Sequence, residues 1–279
     1  MLPILAQSFN KQHNTMRHAM KKSTHVGRSA AFTALGLTAC LLGSPAAHAQ
    51  ADPISYKLTG DIGGGVYSTQ GLVRSKGTDN TVLPYAFFDY GRFFGRVDTF
   101  GFKTLSMGNG YLELVGRVSQ EGWRANTAAL AGLNNRDTPI PLGIGTFQKT
   151  PYGAFIFNAF FDAGKSRGSL LEATYAAEFK LGNVSFYPQI GLEHRSAKYT
   201  NYLYGVTPAE SLASGYAAYN AAASTIPMLG IAADIPLNDS WMINMQLREK
   251  WMDSAITNSP LVVRKMQASG YLALSYRFK

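Results

Sequence analysis

Gln267-Ala-Ser-Gly-Tyr-Leu-Ala-Leu-Ser-Tyr-Arg-Phe-Lys279 closes the chain. From Leu272 the stretch alternates without a break: Leu272, Leu274, Tyr276 and Phe278 share one face, and Ala273, Ser275 and Arg277 the other. Side chains of an extended strand alternate faces with a period of two, so this is a two-faced β-strand. Its apolar face ends in two aromatic rings. Such rings settle where a bilayer meets water, which suits a strand closing a transmembrane barrel. A terminal strand of a soluble sandwich can carry the same alternation, so the rest of the chain has to decide.

Upstream, the same pattern recurs. Leu171, Ala173, Tyr175, Ala177, Phe179 and Leu181 oppose Glu172, Thr174, Glu178 and Lys180. After a tight reversal at Gly182-Asn183, Val184, Phe186, Ile190 and Leu192 oppose Ser185, Tyr187, Gln189 and Glu193. Trp241, Ile243, Met245 and Leu247 oppose Asn244, Gln246, Arg248 and Lys250. Further strands are expected at Lys57–Val66, Val82–Asp89, Arg92–Val97, Phe100–Ser106, Tyr111–Ser119, Leu142–Lys149, Ala154–Asp162 and Met228–Ile235. The Gly63-Gly64-Gly65 run has no helix behind it, so it marks close strand packing rather than a phosphate loop.

Between these strands, short turns at Thr150–Gly153, Gly182-Asn183 and Pro236–Asp239 alternate with longer loops at Ser68–Asn80, Ala125–Pro141, Arg195–Ser224 and Asp253–Lys265. Outer-membrane barrels have that rhythm, with the short turns periplasmic and the long loops outside. The strands run to about 10 residues, the length of a tilted strand crossing a bilayer. No mature segment reaches the ~18 apolar residues of a membrane helix. The expectation is an all-β, antiparallel, up-and-down transmembrane barrel of about 12 strands, or 10 if two weak candidates are dropped. In hydrocarbon every backbone polar group needs a partner, so the last strand should pair with the first. Glu172, Glu178, Lys180, Arg248 and Arg277 then face the interior.

Residues 1–49 read as a secretory signal. Lys11, Arg17, Lys21, Lys22 and Arg28 precede the apolar run Ala30–Leu42, and Ala47-His48-Ala49 is a small-x-small cleavage site. Met20-Lys21-Lys22 would make a more ordinary start. Leu37-Thr38-Ala39-Cys40 resembles a lipidation box, but the apolar run continues past Cys40 and a better site follows. Cleavage after Ala49 leaves a barrel at 50–279. Lys plus Arg then falls from 26 to 21 against 17 acids, and net charge from +9 to +4. The basic excess belongs largely to export and is no nucleic-acid footprint. The only Cys leaves with the leader, so no thiolate metal site or disulfide remains.

Tyr202-Leu203-Tyr204-Gly205-Val206-Thr207-Pro208-Ala209-Glu210, followed by Ser214-Gly215-Tyr216 and Tyr219, resembles the loop signature of the MipA/OmpV family of outer-membrane proteins. Arg124 with Leu130-Ala131-Gly132-Leu133 and Ser259-Pro260-Leu261-Val262 are similar to further family segments, in the same order. The final strand, with Leu272, Leu274, Tyr276 and Phe278, resembles the family's assembly signal, although here Lys279 follows the aromatic. The resemblance implies a barrel in the outer membrane of a Gram-negative bacterium, surrounded by lipid, with no catalytic residues and no cofactor. It also implies a scaffold role, since the namesake is an interacting protein of a lytic transglycosylase and is thought to bridge it to a peptidoglycan synthase. A narrow diffusion channel and a surface adhesin are the alternatives.

Chemistry-bearing residues are few. His194 is the sole mature imidazole; as a general base it would need a nucleophile and an orienting acid, and a place at the end of its strand is the simpler reading. Glu172 and Glu178 share a face but sit ~20 Å apart at strand rise, too far for a carboxylate pair. Tyr202, Tyr204, Gly205, Val206, Thr207, Pro208, Gly215 and Tyr219 form the candidate binding surface. The competing reading is a loop folding over the barrel mouth on its own rings.

Overall fold

The computed structural model describes residues 51–279. The leader, Cys40 and the cleavage site after Ala49 therefore lie outside the described residues. Strands β1 (Thr59–Gln70), β2 (Thr78–Tyr90), β3 (Phe93–Arg96), β4 (Thr99–Met107), β5 (Gly110–Arg117), β6 (Pro141–Thr150) and β7 (Gly153–Asp162) form one antiparallel meander. It continues through β8 (Ser169–Ala177), β9 (Phe179–Leu181), β10 (Val184–Arg195), β11 (Ser224–Pro236), β12 (Trp241–Trp251) and β13 (Met266–Phe278). β8 and β9 are one arm interrupted at Glu178, and both pair with β10, so the sheet has twelve strands.

The sheet closes on itself. β13 pairs with β1 in register from Gly60 opposite Phe278 to Thr69 opposite Ser269. Closure leaves no open edge, which is what hydrocarbon demands of a sheet. At that seam the backbones approach closely: a Cβ on Gly63 would stand 2.0 Å from the Leu274 carbonyl oxygen. The glycine run is thus a packing device.

Alternation sorts the side chains inside out. Leu272 is 58% exposed and Leu274 48%, while Ala273 and Ser275, which alternate with them, are buried. Ile62, Val66, Leu171, Leu192, Leu229 and Leu247 are likewise exposed, whereas Asp61, Glu113, Asn158, Glu193 and Asn244 are buried. This inverts the soluble pattern and marks the outer surface as lipid-facing. Trp241, Tyr276 and Phe278 contact edge to face at one rim, and Tyr56 meets Tyr90 there in the same way. These rings form part of the interfacial girdle.

Tight turns and the C-terminus occupy that rim. Gly182, at φ 60°, supplies the left-handed residue of one turn. The long connections all leave from the opposite, extracellular rim. Three loop expectations need correction. The Ser68–Asn80 segment is strand at both ends, because Ser68, Thr69 and Gln70 pair with Asn80, Asp79 and Thr78, and only residues 71–77 form the loop. A strand emerging from lipid no longer needs an apolar face, so its polar continuation gave no alternation signal. The Arg195–Ser224 segment holds helices α1 (Ala197–Tyr204) and α2 (Pro208–Ser214), and Asp253–Lys265 holds α3 (Ser254–Thr257). These helices are too short for periodicity to register.

Candidate functional site

The interior is filled by paired charges in tiers. At the periplasmic end Arg277 donates to both Asp61 oxygens at 2.7 and 2.6 Å. Asn244 donates to Asp234 at 2.7 Å. Higher up, Arg96 lies 4.0 Å from the centre of the Phe94 ring and 3.3 Å from Glu113. Arg117 forms a two-pronged pair with Glu172 and lies over the Phe160 ring. Under the extracellular mouth, Glu193 takes Arg195 Nε at 2.5 Å and Lys250 at 2.8 Å. Arg195 also pairs with Glu121, which accepts the Tyr199 hydroxyl at 2.6 Å. Opposite charges in this last group balance in number, as buried charges must. Of the residues expected inside, Glu172 and Arg277 are in these tiers and Arg248 has a buried Nε without a partner. Glu178 and Lys180 lie 4.0 Å apart near the periplasmic rim.

Above the last tier the extracellular loops form a roof with its own apolar core. Leu72 and Val73, Trp123 with Leu130 and Leu133, Tyr199 with Leu203, Tyr204 and Val206, and Met252 with Ile256, Leu261 and Val262 meet there. Val73 bridges Val262, Trp123 bridges Arg136 and Val206 bridges Tyr219. The Trp123 indole donates to the Leu203 carbonyl at 3.0 Å, and the Ser259 hydroxyl to the Tyr204 carbonyl at 2.6 Å.

The family loop organises this roof. Thr207 is the N-cap of α2, Pro208 its first residue and Glu210 its third; each of Thr207 and Glu210 caps the other's backbone N–H. Gly215 ends the helix at φ 76°. Glu210 is buried, and its second oxygen accepts Arg136 at 2.9 Å and the Asn134 backbone at 2.9 Å. Burial alone would push that carboxyl up, but the donors from Arg136, Thr207 and Asn134 outweigh it and hold it down at about 2. Arg136 also donates to the Gly205 carbonyl and lies over the Trp123 ring.

Tyr204 is buried in the roof core, and desolvation pushes its hydroxyl up to about 12. Tyr202, Tyr216 and Tyr219 pack against that core and donate to the backbones of Asp137, Ala129 and Ala255 at 3.2, 2.8 and 3.0 Å. Two loops, β5–β6 and β12–β13, are thereby tied to this one. Arg136, Glu121 and Arg195 carry no local sequence signal for the contacts that join the loops, since those partners lie 74 residues away. The Thr207-x-x-Glu210 spacing is a capping-box signature and was legible there.

His194 lies at the extracellular end of β10 with Nδ1 2.9 Å from Thr225 Oγ1, and is exposed. Glu193 next to it points into the barrel, so alternation separates the two groups. Among the described residues no group of three His, Cys, Asp or Glu side chains is placed to hold a metal.

Known proteins resemble the chain at this level. "Putative outer membrane protein YiaT" of Escherichia coli K12 is 22% identical over 221 residues, covering 78% of this chain and 90% of that protein. "Outer membrane protein Omp26La" of Vibrio anguillarum is 27% identical, covering 67% and 70%. "MltA-interacting protein" of Escherichia coli K12 is 24% identical, covering 52% and 59%. The family model described as MltA-interacting protein MipA matches residues 62–278, from the first strand to the last. The closed barrel, its lipid-facing exterior and that match place the protein in the outer membrane, and the chain belongs to the MltA-interacting protein MipA family.

Proposed function

We propose that this outer-membrane barrel is a non-enzymatic scaffold for enzymes that remodel peptidoglycan, with a lytic transglycosylase as client and a peptidoglycan synthase as a second. The observation that carries the reading is the filled interior: stacked ion pairs below a roof with its own apolar core. Such a body is rigid and offers surfaces rather than a reactive cleft. The name of one relative, MltA-interacting protein, supports the client class. Peptidoglycan lies on the periplasmic side, so the client meets the rim of tight turns, where Tyr152 is 77% and Leu181 71% exposed.

The test is photo-crosslinking from Tyr152, Leu181 and Asp239 in intact envelopes, followed by capture of the barrel and identification of its adducts. Recovery of a transglycosylase or synthase is expected. Reproducible absence of both overturns the scaffold reading. Planar-bilayer recording checks the rival channel: the roofed barrel should give no steady open steps, and steady steps would favour diffusion.

A further inference from the structure

A second surface lies on the extracellular rim of the closing seam. The loop after β1 and the loop before β13 are joined by the Val73–Val262 bridge and by backbone bonds from Arg74 to Leu261 and from Val263 to Leu72, 2.8 and 2.9 Å long. Each loop contributes two cations: Arg74 and Lys76 from one, Arg264 and Lys265 from the other. The two arginines clamp reciprocally. Arg74 Nε donates to the Pro260 carbonyl at 2.9 Å, and Arg264 Nε to the Gly71 carbonyl at 3.2 Å. Both side chains are exposed, so the guanidinium stems are fixed while their terminal nitrogens remain available.

None of these four cations belongs to an ion pair among the described residues. Two other extracellular cations differ: Arg124 and Lys165 both pair with Asp137 at 2.8 Å. Of the acids nearby in sequence, Asp253 is occupied as the N-cap of α3. Asp79, at the start of β2, faces Thr69 across the ladder.

Height sets the ligand. Phe278 sits in the lower aromatic girdle, and a tilted strand crosses hydrocarbon in about 10 residues, which reaches Ala268. Arg264 is a further four residues along β13 and its preceding loop, ~9 Å above the apolar boundary for a strand rise of ~3.3 Å and a tilt of ~45°. Outward-facing Met266, 43% exposed, lies between. A cation cluster at that height, above an apolar wall, faces the headgroup layer of the outer leaflet, and of the anions a headgroup can carry, phosphate is one that the arginine fork matches.

We propose that Arg74, Lys76, Arg264 and Lys265 form a phosphate site for a phosphorylated glycolipid of the outer leaflet, seated on the β13–β1 seam. The glycolipid's phosphate meets the preset guanidinium nitrogens and its acyl chains lie along Met266, Leu272 and Val66. Arginine forks suit phosphate oxygens, exposed Lys265 adds charge without geometry, and half-buried Lys76 is held beside them by its bond to Asn126 at 2.8 Å.

The test uses the folded full barrel in detergent, titrated with bisphosphorylated lipid A and followed by native mass spectrometry. Dephosphorylated lipid A and inorganic phosphate serve as separate arms. R74Q/R264Q should weaken lipid A binding about tenfold or more, and K76Q/K265Q several-fold. Lys76 also donates to Asn126 Oδ1 of a neighbouring loop at 2.8 Å, so K265Q alone is the variant that breaks no loop clamp, and its weakened lipid A binding stands even where the other variants loosen the roof. Dephosphorylated lipid A should bind the wild type as weakly as lipid A binds R74Q/R264Q, and inorganic phosphate alone should not compete at equal concentration. Unchanged lipid A affinity in K76Q/K265Q and R74Q/R264Q, or equal binding of the dephosphorylated lipid, overturns the proposal.

Discussion

Arg136 and Glu210 form a buried ion pair at 2.9 Å across two extracellular loops. Glu210 at the same time completes the capping box of α2. One carboxylate therefore holds a helix start and a loop–loop contact. Glu210→Ala leaves Arg136 buried without its partner, which costs about 3–5 kcal/mol. The loss should appear as early unfolding of the roof, read from Trp123 emission in a urea titration, before the barrel's heat-modifiable band shifts. A single unchanged transition for both probes would count against the arrangement.

Acid should act through the same group. Its folded-state value, about 2, lies below the ordinary 4.5. The stabilisation is therefore fully present above pH 4.5 and is lost as pH falls toward 2, with a total of about 3 kcal/mol by linkage. Glu210→Gln should flatten that part of the roof's stability profile between pH 5 and 2, measured by the same Trp123 emission. A profile that keeps its slope in the variant would assign the acid response elsewhere.

The capping hydroxyl makes a smaller contribution. Thr207→Ala should cost about 1 kcal/mol and Thr207→Ser much less, because only the oxygen caps the helix. Equal losses in the two variants would point to the methyl group's packing instead.

In the lumen, Arg117 and Glu172 should behave as a coupled pair. Arg117→Leu or Glu172→Leu alone strands a buried charge and should cost about 3–5 kcal/mol, whereas the double substitution should cost clearly less than the sum. Urea unfolding of the four proteins in detergent gives the coupling energy, and strict additivity would refute it.

The outer wall is tested by Leu274→Arg. Leu274 is 48% exposed and lies toward the middle of the apolar band. A charge there should cost about 2–4 kcal/mol in a bilayer. Reversible folding into vesicles measures it. A cost near zero would mean that this face does not meet hydrocarbon.

The barrel was readable because its determinants are local. Leu272, Leu274, Tyr276 and Phe278 state their face through spacing alone, and a one-residue slip would exchange lipid for lumen. Arg92–Val97 and Phe100–Ser106 are two separate strands, β3 of four residues and β4 of nine, which sets the count at twelve. The roof was only partly readable. Thr207, Pro208 and Glu210 announce a helix start within four positions, yet nothing near Glu210 names Arg136.

By itself the sequence determined a closed, inside-out sheet, since strand period and hydrocarbon's intolerance of unpaired backbone act over neighbouring residues. Tertiary structure alone decided that four loops share one core, with Trp123 bonded to Leu203 80 residues away. It also decided that Arg195, Glu121 and Glu193 meet beneath that core. Irregular segments carry no period to reveal their partners, and such contacts exist only once the barrel has brought the loop ends to one rim.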